Sequence, residues 1–236
     1  SVKQKWIVLL ALFLCLTSFG MVSAQVQEAN LVVWYTFDQI EDNMILDASE
    51  NRFHGSLHGS ITLEDGRYGS AAVFNGVDNY INMGNYQELQ PADLTVSYWV
   101  KRTSSLAGQE GLIVWAKPSG QWDGAGWYLT IKDQYHETNR PVLLMMDGNT
   151  AAYVDDDVDL FYPLNEWVHV AVVVDSNAAA VEVYRNGVPQ QVYLTGTPVI
   201  SATDDPKWFG FNSPLYSGGY LAGVVDDFRI YNTALD

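Results

Sequence analysis

The densest acidic group in the chain is Asp155-Asp156-Asp157-Val158-Asp159. If this segment is extended, Asp155, Asp157 and Asp159 lie on one face, because side chains alternate along a strand. Carboxylates this close raise one another's pKa. They can hold a cation, or they can supply the acid and base of glycoside hydrolysis, which needs two carboxyl groups about 5–10 Å apart. The favoured interpretation is the alternative, a solvated acidic loop ahead of Phe161.

Aromatic residues in polar segments are the second candidate for chemistry. Flat aromatic faces bind the apolar faces of sugar rings, while neighbouring Asp and Asn side chains accept hydrogen bonds from hydroxyls. Trp122 is the strongest candidate, with Asp123 beside it, because the glycine-rich segment 119–126 offers a large indole little local core. Further aromatic residues in or beside predicted loops are Trp115, Trp127, Tyr128, Tyr135, Tyr153, Tyr216 and Tyr220.

Histidine and serine residues give no sign of a catalytic centre. His54 and His58 are four residues apart in a predicted turn and strand, so the helical spacing of metal ligands does not apply, and His169 lies inside an apolar segment. The Ser-Gly segments at Ser119 and Ser217 have no base and acid partners in a strand-turn-helix context, which leaves a serine hydrolase unsupported.

Short strands separated by Gly, Asn and Asp turns are predicted along the whole chain after residue 24, and no stretch shows apolar residues at helical spacing. In the segment 94–101, apolar Leu94, Val96, Tyr98 and Val100 alternate with more polar positions, which places Trp99 on a face that meets solvent or ligand. Trp99 is therefore a further candidate for ligand binding.

Two further segments fix the fold class. The segment 167–174 is apolar at nearly every position, which predicts a central strand buried on both sides and a core position for Trp167. Core packing is also favoured for Trp127 and Trp208. Asn186-Gly187 between two apolar runs predicts a tight hairpin. About a dozen strands are expected, in a two-sheet antiparallel β-sandwich of the jelly-roll type.

The composition and the N-terminal residues limit where the protein is expected to be located and which partners it can bind. Lys3, Lys5, an apolar run from Trp6 to Leu16 and the sequence Val22-Ser23-Ala24 predict a helical signal peptide at 1–24, followed by one domain at 25–236. We expect a secreted or cell-surface protein with no stable membrane insertion after cleavage. The formal charge of −16 becomes −18 when the two lysines are lost, and this charge disfavours nucleic acid and anionic membranes.

Cysteine use agrees with this interpretation. Cys15 is the only cysteine in the chain, so the domain after cleavage has neither a disulfide nor a thiolate nucleophile. A lipoprotein is the alternative to a secreted protein, but Leu14 stands before Cys15, where a lipobox has a small residue.

Six segments together resemble laminin-G-like, concanavalin A-like jelly-roll modules, and the resemblance runs from about Leu31 to Asp236. Each fragment alone is weak, but they follow one another in the order that the family shows. The segments are 33–38 (VWYTFD), 46–51 (LDASEN), 68–76 (YGSAAVFNG), 94–99 (LTVSYW), 167–171 (WVHVA) with 184–187 (YRNG), and 225–232 (VDDFRIYN).

The resemblance implies a structural calcium site. It places Asp38, Asp47, Asn51 and Asp226 together at the edge of the sandwich, where a cation would hold the two ends of the domain. Calcium takes six to eight oxygen ligands, and the loop 47–54 offers both side-chain and carbonyl oxygens. The alternative is a metal-free turn in which Asp47 and Asn51 hydrogen-bond to their own backbone.

The resemblance also implies a function, although a fold by itself does not decide one. We expect a lectin-like module that binds a polysaccharide or glycan, as part of a larger extracellular or cell-surface protein. A module for protein interaction or adhesion is the alternative, and a glycoside hydrolase or polysaccharide lyase is less favoured. Related glucanases carry a Glu-x-Asp-x-x-Glu strand that this sequence lacks, so no catalytic residues are expected. The candidate ligand-binding residues are Trp99, Trp122, Asp123, Tyr153, Asp155 and Asp157.

Overall fold

A computed structural model describes residues 30–104, 111–118, 124–132, 140–211 and 219–236. The chain divides into a unit Ser1–Leu31, of which only Asn30 and Leu31 are described, and a unit Val32–Asp236. The signal peptide predicted at 1–24 lies outside the described residues and remains a prediction. No helix within the described ranges is long and apolar enough to cross a membrane.

The regular secondary structure in the described part of the chain is almost entirely β-strand. It holds one four-residue α-helix, α1 (Val158–Phe161), and two 3-10 turns, Gln87–Leu89 and Asp147–Asn149. The strands are β1 (Leu31–Glu41), β2 (Met44–Asp47), β3 (Gly55–His58), β4 (Thr62–Asp65), β5 (Ser70–Asn75), β6 (Tyr80–Gly84), β7 (Leu94–Arg102), β8 (Leu112–Ala116), β9 (Trp127–Lys132), β10 (Pro141–Met145), β11 (Ala151–Val154), β12 (Trp167–Asp175), β13 (Ala180–Arg185), β14 (Val188–Pro189), β15 (Val192–Thr195), β16 (Lys207–Phe209) and β17 (Ala222–Tyr231).

Two runs of antiparallel strands form the fold. One run has the order β4-β5-β17-β7-β12-β13-β14. The other has the order β2-β3-β6-β16-β8-β9-β10-β11-β15. β1 pairs with β17 of the first run and with β2 of the second. Both runs contribute apolar side chains to one core, so they pack face to face as the two layers of a sandwich.

β7 shows how the sequence pattern fixes the two faces of the first layer. Leu94, Val96, Tyr98 and Val100 are fully buried in the core, whereas Trp99 is only half-buried on the opposite face, as the alternation predicts. The hairpin is confirmed as well: its two turn residues at 186 and 187 have φ angles of 50° and 77°, which suit Asn and Gly.

β12 corrects one sequence prediction. The strand is central, between β7 and β13, but its first half is buried on one face only. Val168, Val170 and Val172 face the core, while Trp167 and His169 are half-exposed on the outer face. The apolar run therefore misled the prediction because the outer face of this layer itself carries aromatic side chains. The prediction of a core position for Trp167 is wrong for the same reason, whereas Trp127 and Trp208 are buried as predicted.

The acidic segment is the solvated loop that was the favoured interpretation, since Asp155, Asp156 and Asp157 are exposed and lie outside regular secondary structure. It is not extended: Asp157 caps the N-terminus of α1 by accepting a hydrogen bond from the backbone N–H of Asp159 at 2.8 Å. The carboxylate of Asp159 forms an ion pair with the buried guanidinium of Arg102, and Asp155 lies 3.8 Å from Nε of Arg140. The three carboxylates are therefore divided between a helix cap and two ion pairs, rather than sharing one face.

The centre of the core is an aromatic cluster around Phe209, which makes ring contacts with Phe37, Phe74 and Phe228 at centroid distances of 5.9, 5.4 and 4.8 Å. Phe209→Ala should lower the free energy of unfolding by about 3–5 kcal/mol, because it leaves a cavity between the layers. Urea denaturation measures this loss. Val188→Ala, at a position that is 59% exposed, is the control and should change stability by less than about 0.5 kcal/mol. A loss below about 1 kcal/mol for Phe209→Ala would contradict this packing.

Candidate functional site

A groove of about 470 Å³ opens on the outer face of the first layer. Its floor is formed by β1, β17, β7 and β12, and the turn between β4 and β5 forms one wall. The lining residues are Trp34, Thr36, Asp38, Tyr68, Ser97, Trp99, His169, Asp226, Asp227 and Arg229.

Strand register brings the central groove residues into rows. Asp226, Trp99 and His169 are direct neighbours across β17, β7 and β12, and Arg229 is opposite Ser97 in the adjacent row. A diagonal contact joins the rows, since Ser97 Oγ lies 2.9 Å from His169 Nε2.

A β-bulge in β17 turns two successive carboxylates toward this groove. Asp226 is opposite Trp99 and Arg229 is opposite Ser97, so β17 has one more residue here than β7. Asp227 lies at the bulge and has a φ of 49°. A regular strand would alternate, but here both Asp226 and Asp227 line the groove while Phe228 returns to the core.

Asp226, on the groove floor, holds the β4–β5 turn that forms the wall. Its side chain is fully buried, and Oδ2 accepts hydrogen bonds from the backbone N–H groups of Arg67 at 2.7 Å and Tyr68 at 2.8 Å. Oδ1 has no hydrogen-bond partner. Burial raises the pKa of Asp226, and the charge of Asp227 acts in the same direction, while the backbone donors at Tyr68 and Arg67 oppose it.

Two glycines allow this close approach. A Cβ on Gly66 would lie 2.6 Å from Oδ2 of Asp226, and a Cβ on Gly69 would overlap Oδ1 of Asp38. Gly69 also has a φ of 66°, which disfavours other residues. Oδ1 of Asp38 accepts a hydrogen bond from the N–H of Ser70 at 3.1 Å. The turn is thus seated on two carboxylates, and both of them belong to the groove.

Asp227 orients one side of the groove. Its Oδ1 accepts hydrogen bonds from Nε1 of Trp34 at 2.7 Å and from the guanidinium of Arg229 at 2.8 Å. The Arg229 guanidinium also lies 4.5 Å from the centroid of the Trp34 ring, while its Nε has no hydrogen-bond partner. These contacts hold an indole and a guanidinium in place before any ligand binds.

Trp99 is the centre of a second aromatic group. The Arg67 guanidinium lies 4.6 Å from the Trp99 ring centroid, Tyr68 approaches the ring edge-on at 6.4 Å, and the His169 ring is 5.1 Å away. Tyr68 is 59% exposed at the rim. Burial lowers the pKa of His169, the charge of Arg229 acts in the same direction, and that of Asp227 opposes it.

The four residues expected to hold calcium are placed in two different environments. Asp38 and Asp226 line the groove, but Asp47 and Asn51 do not. Both oxygens of the Asp47 carboxylate already accept hydrogen bonds from nearby donors, including the backbone N–H groups of Trp34 and Phe53 at 2.8 Å each. The Asn51 amide donates to the carbonyl of Val32 at 2.9 Å. Within the described ranges, no three His, Cys, Asp or Glu side chains are arranged to hold a metal ion.

Only some of the residues expected to bind a ligand lie in the groove. Trp99 lies in the groove, whereas Tyr153, Asp155 and Asp157 do not line it. Trp122 and Asp123, the strongest loop candidates, lie outside the described residues, as do Tyr135 and Tyr216. Of the other predicted loop aromatics, Trp115, Trp127 and Tyr128 belong to strands and are buried rather than exposed.

Sequence reasoning missed most of the groove. Trp34, His169, Asp227 and Arg229 were not predicted to bind a ligand, although a signal for Trp34 exists. Positions 34, 36 and 38 alternate with the buried residues Val33, Tyr35 and Phe37, so the pattern of β1 resembles that of β7. The pairing of β1 with β17, which brings these residues beside Asp227, has no local signature.

The family model described as the concanavalin A-like lectin/glucanases superfamily, Laminin_G_3, matches residues 75–236. The chain belongs to this superfamily. The concanavalin A-like fold expected from the sequence is therefore confirmed, and the groove lies on the outer face of one layer of that sandwich. No curated protein matches the chain in sequence.

Solved structures with this concanavalin A-like fold include binding domains. Domain 4 of AbnA, an extracellular GH43 arabinanase from Geobacillus stearothermophilus solved with arabinotriose, is 23% identical with a TM-score of 0.65, covering 88% of this chain and 94% of that one. The binding domain of Paraclostridial Mosquitocidal Protein 1 is 18% identical with a TM-score of 0.65, covering 89% and 50%. Botulinum neurotoxin type C, whose cell entry depends on two ganglioside molecules, is 15% identical with a TM-score of 0.63, covering 89% and 49%.

His169 gives the groove a pH dependence that can be measured. Because its pKa is lowered in the folded state, the unfolded chain binds the proton more readily, and stability contributed by neutral His169 is lost as pH falls below about 6.5. The free energy of unfolding should therefore fall more steeply for the wild type than for His169→Gln between about pH 7.5 and pH 5.5. Parallel curves for the two proteins would contradict the burial of a neutral imidazole in the groove.

Proposed function

We propose that this domain is a secreted carbohydrate-binding module, part of a larger extracellular or cell-surface protein, and that the groove on the first layer is its glycan-binding site. The observation that carries the proposal is the composition of the groove. Two half-buried indoles, Trp34 and Trp99, stand beside fixed carboxylates and a guanidinium in an open depression. Sugar rings need this combination, with apolar surface for the ring and charged hydrogen-bonding groups for the hydroxyls.

Hydrogen-bonding capacity in the groove supports a ligand with hydroxyl groups. Asp226 Oδ1 is an acceptor without a partner, and Arg229 Nε is a donor without one. A hydroxyl both donates and accepts, so a sugar, directly or through a bridging water, can satisfy both kinds of group. A purely apolar ligand would leave both atoms unsatisfied at a cost.

The geometry favours binding over catalysis. Ser97 and His169 are at the distance of a nucleophile and its base, but Ser97 lies within β7, which is paired on both sides by β12 and β17. The backbone N–H groups of a central strand are taken up in the ladders, so they are not free to stabilise an oxyanion as acyl transfer requires. We therefore propose a module that binds its glycan without transforming it.

The proposal includes a calcium site with fewer protein ligands than the four that the sequence suggested. Asp38 and Asp226 have carboxylate oxygens that accept no hydrogen bond, and a buried carboxylate oxygen without a partner fits a hard cation. Asp47 and Asn51 fit less well, because a cation would have to displace the hydrogen bonds that they already make. A bound calcium ion would supply positive charge that holds the β4–β5 turn against the groove.

Glycan binding is tested by affinity electrophoresis of the domain 25–236 in arabinan, xylan, galactomannan and mixed-linkage β-glucan. Trp99→Ala should weaken binding at least about 10-fold, or about 1.4 kcal/mol, because a central aromatic contact is lost. Trp167→Ala is the matched control, since Trp167 is a half-exposed tryptophan on the same face that does not line the groove. Equal binding by both variants would contradict the assignment of the groove.

Retention on none of the polysaccharides, together with capture of a protein ligand, would favour the alternative of a protein-interaction module.

Calcium is tested by thermal unfolding with the ion and with chelator. Calcium at about 100 times its Kd should stabilise the wild type by about 2.7 kcal/mol. Asp226→Asn should abolish this response, because it removes the charge while an amide oxygen can still accept the hydrogen bonds of the turn. Asp47→Asn should lower stability with and without the ion but keep the response. The reverse result for the two variants would place the cation at Asp47 instead.

A further inference from the structure

The second layer carries a separate aromatic group on its own outer face. Ala152 and Val154 of β11 are buried in the core, so Tyr153 points to the opposite side. Val192 and Leu194 of β15 likewise pack against the core, and Tyr193, which is 45% exposed, points outward. Two tyrosines thus stand side by side on the face of the sandwich that is turned away from the groove.

These tyrosines form an ordered stack. They are direct cross-strand neighbours, with ring centroids 5.6 Å apart and ring planes 12° from parallel. The guanidinium of Arg140 lies 4.4 Å from the centroid of the Tyr153 ring. Nε of the same arginine lies 3.8 Å from Oδ1 of Asp155. The order Arg140, Tyr153, Tyr193 therefore has a cation at one end and an exposed ring at the other.

The polar groups around the stack identify the ligand class. The hydroxyls of Tyr153 and Tyr193 make no hydrogen bond within the described part of the chain. Arg140 and Asp155 lie beyond hydrogen-bond distance of each other, so both keep free donors and acceptors. Their charges cancel, and the chain carries a formal charge of −16, which disfavours a polyanion. Rings flanked by neutralised donors and acceptors match an uncharged sugar.

We propose that the Tyr153–Tyr193 stack, with Arg140 and Asp155, is a second binding site for uncharged polysaccharide. The proposal rests on the glycan-binding function proposed for the groove. The two sites lie on the outer faces of opposite layers and face away from each other. One domain therefore binds two separate polysaccharide chains, and it cross-links them rather than anchoring to one.

A simpler role for the stack is a cross-strand aromatic pair that stabilises the edge of the sheet, since such pairs contribute to sheet stability. The two roles differ in their consequences. A stabilising pair affects unfolding but not binding, whereas a binding site affects the number of polysaccharide chains held per domain. Tyr193→Ala removes the exposed ring, and Tyr193→Phe keeps the ring while removing the hydroxyl.

The experiment measures retention by affinity electrophoresis and polymer cross-linking by light scattering, with arabinan, xylan, galactomannan and mixed-linkage β-glucan as the probes. Wild-type domain, confirmed as a monomer by size-exclusion chromatography with light scattering, should be retained by at least one polymer and should cross-link it. Tyr193→Ala and Trp99→Ala should each lose cross-linking while some retention persists, and the retention of Trp99→Ala should be at least about 10-fold weaker than that of the wild type. Tyr193→Phe should cross-link at least half as well as the wild type. Val188→Ala is the surface control and should behave as the wild type.

The outcomes separate the two proposals. Full cross-linking by Tyr193→Ala, together with loss of all retention in Trp99→Ala, overturns the second site and leaves the groove in place. If Tyr193→Ala loses all retention while Trp99→Ala is retained as well as the wild type, the groove is overturned and the stack remains as the binding site. A wild-type domain that is retained by none of the four polymers overturns both proposals.

Discussion

The extra residue in β17 determines how the groove is built. Because the bulge turns Asp226 and Asp227 to the same side, one strand anchors both the β4–β5 wall and the Trp34–Arg229 pair on the floor of the groove. Asp226 accepts hydrogen bonds from the backbone N–H groups of the β4–β5 turn. Asp227 accepts hydrogen bonds from the indole N–H of Trp34 and the guanidinium of Arg229. Without the extra residue, one of the two carboxylates would point into the core, where an unpaired charge is strongly disfavoured.

Cations are placed on aromatic faces throughout this layer. Arg67 lies over Trp99, Arg229 over Trp34 and Lys101 over Trp167. Two of these cations also form ion pairs, Arg229 with Asp227 and Lys101 with Glu64. Each contact of a cation with a ring is worth about 0.5–2 kcal/mol, and each fixes the orientation of a large ring. A ligand thus meets a rigid surface and loses little free energy in ordering it.

Sequence reasoning succeeded where the signal is local. The alternation in β7 predicted the exposed face of Trp99, and Asn186-Gly187 predicted the hairpin, because both depend only on neighbouring residues. It failed where position depends on distant pairing. Trp34 and Asp227 are 193 residues apart, and neither the register of β1 against β17 nor the bulge has a local signature.

The favoured interpretation of the acidic segment as a solvated loop is confirmed, whereas the extended arrangement considered beside it is absent. Asp155, Asp157 and Asp159 would share a face only if extended, but one residue caps a helix and its neighbour reaches a buried arginine on another strand. The calcium prediction was carried by resemblance, and the hydrogen bonds that occupy Asp47 are a property of the folded turn that no sequence pattern displays.

The central claim is that sugar binds between Trp34 and Trp99, and NMR spectroscopy of the tryptophan indole N–H groups tests it most directly. Titration with an oligosaccharide of a polysaccharide that retains the domain should shift the Nε1–H signals of Trp34 and Trp99, while those of the buried Trp115 and Trp127 stay in place. Trp34 is especially informative, because its N–H is already bonded to Asp227 and reports any change at that carboxylate. Saturable binding that leaves both groove signals unmoved would contradict the account.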